Sequence, residues 1–243
     1  MLCKQGSRVR FPPAPQTIFL ENDYMSYPLM HLADKPALRG WSHRLAFVAA
    51  IVLCPILIIS AQEAKFLASL YSISIIGLFG VSSFYHGHTW SRQAHSLWRR
   101  VDHAMIFVAI AATYTPISWL MLPRSHATFV LSVVWIGAFI GVLVMIFWPA
   151  PPKRITVPLF ITVGWSALLV IDELWKNLGS WGFTFLLLGG AFHTLGALVY
   201  GTQKPDPWPT KFGFHEIFHL FVVLAIASHY IIIAFIALPT TKI

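Results

Sequence analysis

The chain predicts an all-α integral membrane protein, a bundle of seven transmembrane helices with its N-terminus in the cytoplasm and its C-terminus outside. Composition is the first reason: 57% of the 243 residues are hydrophobic, 11% are charged, and the mean hydropathy is +0.69, well past the balance of a soluble domain. Length is the second, because the apolar residues fall into seven stretches of about the 20 residues that cross a bilayer's hydrocarbon. Charge is the third, since Lys and Arg collect in alternate breaks between those stretches.

The elements follow in order. Residues 1–34 read as a disordered leader ahead of a membrane domain spanning 35–243. The run Gln5-Gly-Ser-Arg-Val-Arg-Phe-Pro-Pro-Ala-Pro15 has neither the apolar core of a signal peptide nor a helical period. It resembles the 3′ end of a transfer-RNA gene read in frame, which makes Met25 or Met30 the expected start. The spans are predicted near 43–62, 66–87, 101–122, 127–148, 155–175, 181–200 and 214–238. Tryptophans such as Trp41, Trp90, Trp148 and Trp208 fall near the span ends, as interfacial anchors do. Pro116 and Pro158 are expected to kink their helices, and Gly77, Gly80, Gly189 and Gly190 to admit close helix neighbours.

With the N-terminus inside, 13 of the 17 basic residues lie on the cytoplasmic side, and only Lys65, Arg124, Lys176 and Lys242 lie outside. The positive-inside rule fixes the orientation, with an odd number of spans, in the cell's inner (plasma) membrane. The excess of Lys and Arg therefore serves topology and does not point to nucleic acid. Two cysteines, Cys3 and Cys54, far apart, indicate no disulfide framework.

Polar residues at the ends of these spans carry the chemistry. Ser82 and His86 are one helical turn apart on the second span, and His215 and His219 have the same spacing on the seventh. Two imidazoles at that spacing can grip one metal ion, and a third with an open position completes a catalytic zinc site. By the predicted topology His86, Asp102, His215 and His219 all approach the cytoplasmic boundary. Neutral imidazoles leave a zinc ion its full charge, so water beside it ionises near neutral pH. Asp102 is placed to take that proton or orient the water, and Ser82 to bond the water or a substrate oxygen.

Plainer roles exist for each. A histidine at a helix end is commonly interfacial, Asp102 has Arg99 and Arg100 nearby for pairing, and an intramembrane serine often bonds a backbone carbonyl. His88, His95 and His103 flank a loop, His31 and His126 read as loop residues, and His43 is a weak candidate to support the site. His193 and His229 lie deeper, where each is expected to find a structural hydrogen bond. His215-Glu216-Ile-Phe-His219 also satisfies H-E-x-x-H, which in an intramembrane metalloprotease would make Glu216 the base.

Ser82-Ser-Phe-Tyr-His86, Arg100-Val-Asp102-His, Thr113-Tyr-Thr-Pro116 and Phe212-Gly-Phe-His215-Glu-Ile-Phe-His219 together resemble the hemolysin III branch of the progestin and adipoQ receptor family, from about Lys35 to Leu238. The resemblance implies a seven-helix bundle with a cytoplasmic N-terminus and zinc near the cytoplasmic face. It implies His86, His215 and His219 as zinc ligands, with Ser82 and Asp102 as the catalytic pair beside them. The superfamily includes alkaline ceramidases, which implies a zinc-dependent hydrolase acting on a membrane lipid amide or ester. A cytolytic, pore-forming or receptor-like protein with a structural zinc is the alternative, and an intramembrane metalloprotease a second one. At the first span the chain has Arg39-Gly-Trp-Ser-His43 where many bacterial relatives have a Glu, Asn and Thr-His pattern.

Overall fold

The computed structural model describes residues 36–242, so the expected leader, its candidate starts and Cys3 lie outside the described residues. The described chain is helical: α1 (Trp41–Ser60), α2 (Lys65–Gly87), α3 (Arg92–Met121), α4 (Arg124–Phe147), α5 (Lys153–Gly164), α6 (Ile171–Thr202) and α7 (Phe214–Ile232). A 3₁₀ turn, Gln62–Ala64, joins α1 to α2, and a 3₁₀ segment, Trp165–Val170, links α5 to α6. α7 runs on through a π-helical segment, Ile233–Ala237, and a final 3₁₀ segment, Leu238–Lys242.

Six stretches of the described chain are long and apolar enough to cross a membrane. One of them, Lys153–Thr202, has 50 residues, which as a straight helix would reach about 75 Å, over twice the hydrocarbon thickness. It is not straight. Trp165 Nε1 donates to Thr194 Oγ1 at 2.9 Å, a contact that needs the chain to double back between them. Gly179, at φ 65° and ψ 175°, breaks the helical backbone inside α6, in a region that essentially only glycine enters without strain. It falls in the gap predicted between the fifth and sixth spans.

α3 starts nearer the N-terminus than the predicted 101, at Arg92, where Ser91 Oγ accepts the Ala94 N–H at 3.3 Å. Its first turns are polar, so apolar length alone underestimates the helix. Pro116 and Pro158 sit inside α3 and α5 without ending them. The irregular backbone after α5 is held by one side chain: Tyr114 Oη donates to the Gly164 carbonyl at 2.6 Å and accepts the Ala167 N–H at 2.8 Å. That satisfies backbone groups for which lipid offers no partner.

Neighbours in sequence pack in pairs, α1 on α2, α2 on α3, α3 on α4 and α6 on α7, and α7 also lies against α1. Tyr71, Ala68, Phe107, Ala111, Val130 and Ile232 are sealed inside. The outer surface keeps Ile59, Phe66, Phe147 and Trp181 at least three-quarters exposed, an apolar exterior that suits lipid and would be costly in water. The protein is a multi-pass, all-α membrane protein. Where α2 ends and α1 and α7 begin, Ala37 and Leu38 donate backbone hydrogen bonds to the carbonyls of Thr210 and Lys211, both at 3.1 Å. This short ladder ties the entry of α1 to the α6–α7 loop beneath the histidines.

Candidate metal centre

His86 is the penultimate residue of α2, and His215 and His219 occupy the first two turns of α7. The structure brings one ligand nitrogen of each within 4.8 Å of the other two. His86 Nε2 and His215 Nε2 are 3.3 Å apart, the edge of a tetrahedron whose metal–nitrogen bonds are about 2.0–2.1 Å. His219 Nδ1 is buried and has no hydrogen-bond partner, a condition that a structural histidine in a protein interior rarely tolerates. The donor set is all nitrogen and borderline-soft, which fits zinc. The residues present fit the ion.

Asp102 and Ser82 join the same cluster. Asp102 Oδ2 is 3.9 Å from His86 Nε2 and 3.7 Å from His103 Nδ1, and Ser82 lies beside the carboxylate. Ser82 Oγ also meets His43 Nδ1 at 2.8 Å. Both plainer expectations give way here. Arg99 and Arg100 turn from Asp102 to the carbonyls of Pro149 and Ile146, at 2.7 and 3.0 Å, and Ser82 engages side chains instead of a carbonyl.

His43 is more central than its sequence position suggests. It is buried, and its ring stacks on His219 at 3.9 Å with an interplanar angle of 14°. The signal was present in its place at the first turn of the first span, but one histidine without a spaced partner has many ordinary explanations. His103 is likewise drawn inward, with Nδ1 on the Arg99 carbonyl at 2.8 Å and Nε2 on Tyr200 Oη at 3.0 Å.

Glu216 is turned away from the histidines. Its Oε1 lies 2.9 Å from Arg39 Nε, and its Oε2 accepts the Gly213 N–H at 2.8 Å. That second bond makes Glu216 the N-terminal capping carboxylate of α7, a role its position at the third helical residue favours. Both oxygens are engaged, so the H-E-x-x-H glutamate is not poised as a base. Arg39 is drawn into the site's floor, where burial lowers its pKa and the Glu216 carboxylate opposes that fall.

Beside the centre lies a cavity with about 1160 Å³ of non-atom space, part of it open to the surroundings. Its walls are apolar side chains of α3, α5, α6 and α7, including Ile106, Ile110, Phe160, Leu186 and Val222. Tyr200 and Phe218 line the cavity and pack ring to ring at 5.2 Å, and Phe218 in turn touches His215 at 5.9 Å. These two rings stand between the cavity and the histidines. Farther along, His193 and His229 stack at 5.7 Å, and the buried His229 Nδ1 has no hydrogen-bond partner.

Comparison with known proteins agrees with the helices and the motifs. The chain is 28% identical over 206 residues to a protein named Hemolysin-3 from Bacillus cereus, covering 83% of this chain and 91% of the relative. It is 27% identical over 201 residues to the human monocyte to macrophage differentiation factor, covering 78% and 79%. A Drosophila melanogaster adiponectin receptor protein is 26% identical over 215 residues, covering 78% of this chain and 48% of that one. The family model described as Haemolysin-III related matches residues 32–230, from the approach to α1 through nearly all of α7. The chain belongs to the haemolysin-III related family.

Proposed function

We propose that this protein is a zinc-dependent hydrolase of a lipid amide or ester, working in the inner (plasma) membrane. The observation that carries the reading is the convergence of His86, His215 and His219 with Asp102 and Ser82 beside an apolar cavity. Zinc bound there would supply a Lewis acid for a carbonyl oxygen and a field that acidifies water.

The chain's own groups do the rest. Asp102 accepts the proton of the attacking water and returns it to the leaving amine or alcohol. Ser82 donates a hydrogen bond to the substrate oxygen as charge builds on it. His43 Nδ1, 2.8 Å from the serine oxygen, holds it in place before substrate arrives and, as the donor, leaves the hydroxyl proton free for the substrate. The cavity takes the acyl chain and excludes water around it. Seven spans, cytoplasmic N-terminus and outer C-terminus suit the basic-residue asymmetry and the reversal at Gly179.

The test offers a mixed sphingolipid and phospholipid library to purified protein and to Asp102→Ala, with zinc measured in both. The expected result is fatty acid released by the wild type, and turnover reduced about 10²–10⁴-fold in the variant at equal zinc. No release at full zinc occupancy sinks the hydrolase reading.

A second reading rests on the ligands' origin. They come from α2 and α7 alone, so an ion here also ties the second helix to the last, as a structural zinc would in a lytic or receptor-like protein. The Bacillus cereus relative is named a hemolysin and the Drosophila one a receptor. Dye release from liposomes whose lipids stay intact would favour that reading. A protease reading gains no support, because Glu216 is committed to Arg39 and the helix cap.

A further inference from the structure

A second pocket, with about 290 Å³ of non-atom space, lies between the first turns of α3, the α4–α5 connection, the start of α5 and the end of α6. Arg99, Arg100, His103, Thr156 and Tyr200 line it. It is chemically unlike the apolar cavity, although Tyr200 borders both.

The cations around it have no acidic partners among the described residues. Among the described residues, neither arginine nor Lys153 forms an ion pair with a carboxylate. Arg99 gives one hydrogen bond to the Pro149 carbonyl, and Arg100 gives two, to Ser96 and Ile146. A guanidinium has five N–H donors in a rigid fork, so each keeps donors in hand after fastening itself to the backbone. Lys153 stands over the Tyr200 ring, its Nζ 5.0 Å from the centroid. Two arginines and a lysine are thus held beside one small concavity with their charge uncompensated.

Thr156 supplies the independent sign of a ligand. It is 3% exposed, lies on the pocket wall, and its Oγ1 is buried with no hydrogen-bond partner. A helical threonine ordinarily bonds the carbonyl one turn back, as Thr113, Thr115, Thr128 and Thr194 all do here. Thr156 lies in the first turn of α5, where the Pro152 carbonyl one turn back accepts its backbone N–H at 3.1 Å but not its hydroxyl, and where backbone dipoles favour an anion. A buried hydroxyl left unpaired is costly, and an anionic oxygen in the pocket would satisfy it.

We propose that Arg99, Arg100 and Thr156, with Lys153 at the rim, form a binding site for a phosphate-bearing anion at the end of the bundle that holds the histidines. The chemistry is that of a phosphodiester or phosphomonoester. Bidentate guanidinium donors meet its oxygens, a hydroxyl donates from the wall, and the helix terminus adds its field. The pocket's place at a helix end near the edge of the apolar stretch suits the headgroup of an anionic membrane lipid, and free phosphate shares the same chemistry. The site is independent of the zinc reading and survives its failure.

The test uses the full chain in lipid nanodiscs and follows retained lipid by native mass spectrometry, offering phosphatidylglycerol and phosphatidylcholine in equal amounts. Inorganic phosphate binding is measured alongside by calorimetry. The variants are Arg99→Gln with Arg100→Gln, and separately Thr156→Val, which keeps shape and removes the hydroxyl. The expected result is about a tenfold preference for phosphatidylglycerol, abolished in the double variant and cut about threefold by Thr156→Val. Phosphate bound in solution with the same sensitivity to the variants also supports the site and assigns it to a soluble anion. No preference for the anionic lipid together with no phosphate binding overturns the proposal. So does a preference that neither variant changes, and Thr156→Val decides this even if loss of both arginines disturbs folding.

Discussion

Gly40 shows how one residue's backbone can shape a candidate metal site. It precedes α1 with φ at +73°, and a Cβ built on it would meet His86 Cβ at 2.8 Å. Glycine is needed twice, for the left-handed turn and for the close approach to a candidate ligand. Gly40→Ala should destabilise the protein by about 1–3 kcal/mol and push His86 from its neighbours. Zinc content after purification should fall with the melting temperature, and unchanged zinc would show that the turn does not support the centre. Glu216 makes the opposite prediction. With both oxygens held by Arg39 and the Gly213 amide, Glu216→Gln keeps the shape, so zinc binding and any lipid turnover should persist within a fewfold. Removing Arg39 instead leaves a buried carboxylate uncompensated and should cost about 3 kcal/mol. Turnover abolished by Glu216→Gln at unchanged zinc would restore the metalloprotease-type base.

At the scale of elements, the sequence is most legible where apolar length and helical spacing alone decide the outcome. α1, α2 and α4 begin and end within a few residues of their predicted spans, and the four-residue spacings put Ser82 with His86 and His215 with His219. Three features were not legible. α3 reaches back to Arg92 because its first turns are amphipathic and lie outside the apolar stretch. His43 enters the cluster through the packing of α1 against α7 and α2, a long-range contact that no local pattern encodes. α5 gives way to a 3₁₀ segment whose backbone is satisfied by Tyr114 from another helix. Gly179 is the element-scale counterpart of Gly40, at φ 65° and ψ 175°, with no other atom within 4 Å of the place a Cβ would take. Gly179→Ala therefore meets no clash, and only backbone strain of about 1–3 kcal/mol should appear. A drop in thermal stability with zinc retained is the expected outcome. An unchanged melting temperature would mean that the backbone there relaxes freely.

On the proposed reading the whole molecule places both ends of the histidine cluster on one face of the membrane, and this bears on how the 50-residue stretch Lys153–Thr202 is threaded. His86 ends α2 and His215 begins α7, yet their Nε2 atoms are 3.3 Å apart. Between them the chain runs through α3, α4 and that stretch. If the stretch crossed once, α7 would begin on the face opposite the end of α2, and the histidines could not meet. The proposed two crossings, with the reversal marked by Gly179 and closed by the Trp165–Thr194 hydrogen bond, would restore them to one face. On the proposed orientation that face is the cytoplasmic one, since Arg92, Lys153, Arg154, Lys204 and Lys211 would then all lie on the side the positive-inside rule favours. Single cysteines placed in a Cys3→Ser, Cys54→Ser background make this measurable. A membrane-impermeant maleimide added to intact cells should label Asn177→Cys, beside the reversal, and spare Gln203→Cys, in the α6–α7 loop, until the membrane is opened. Labelling of Gln203→Cys from outside would invert the orientation if Asn177→Cys were then protected. Labelling of both from outside would deny the two crossings that the histidine cluster requires.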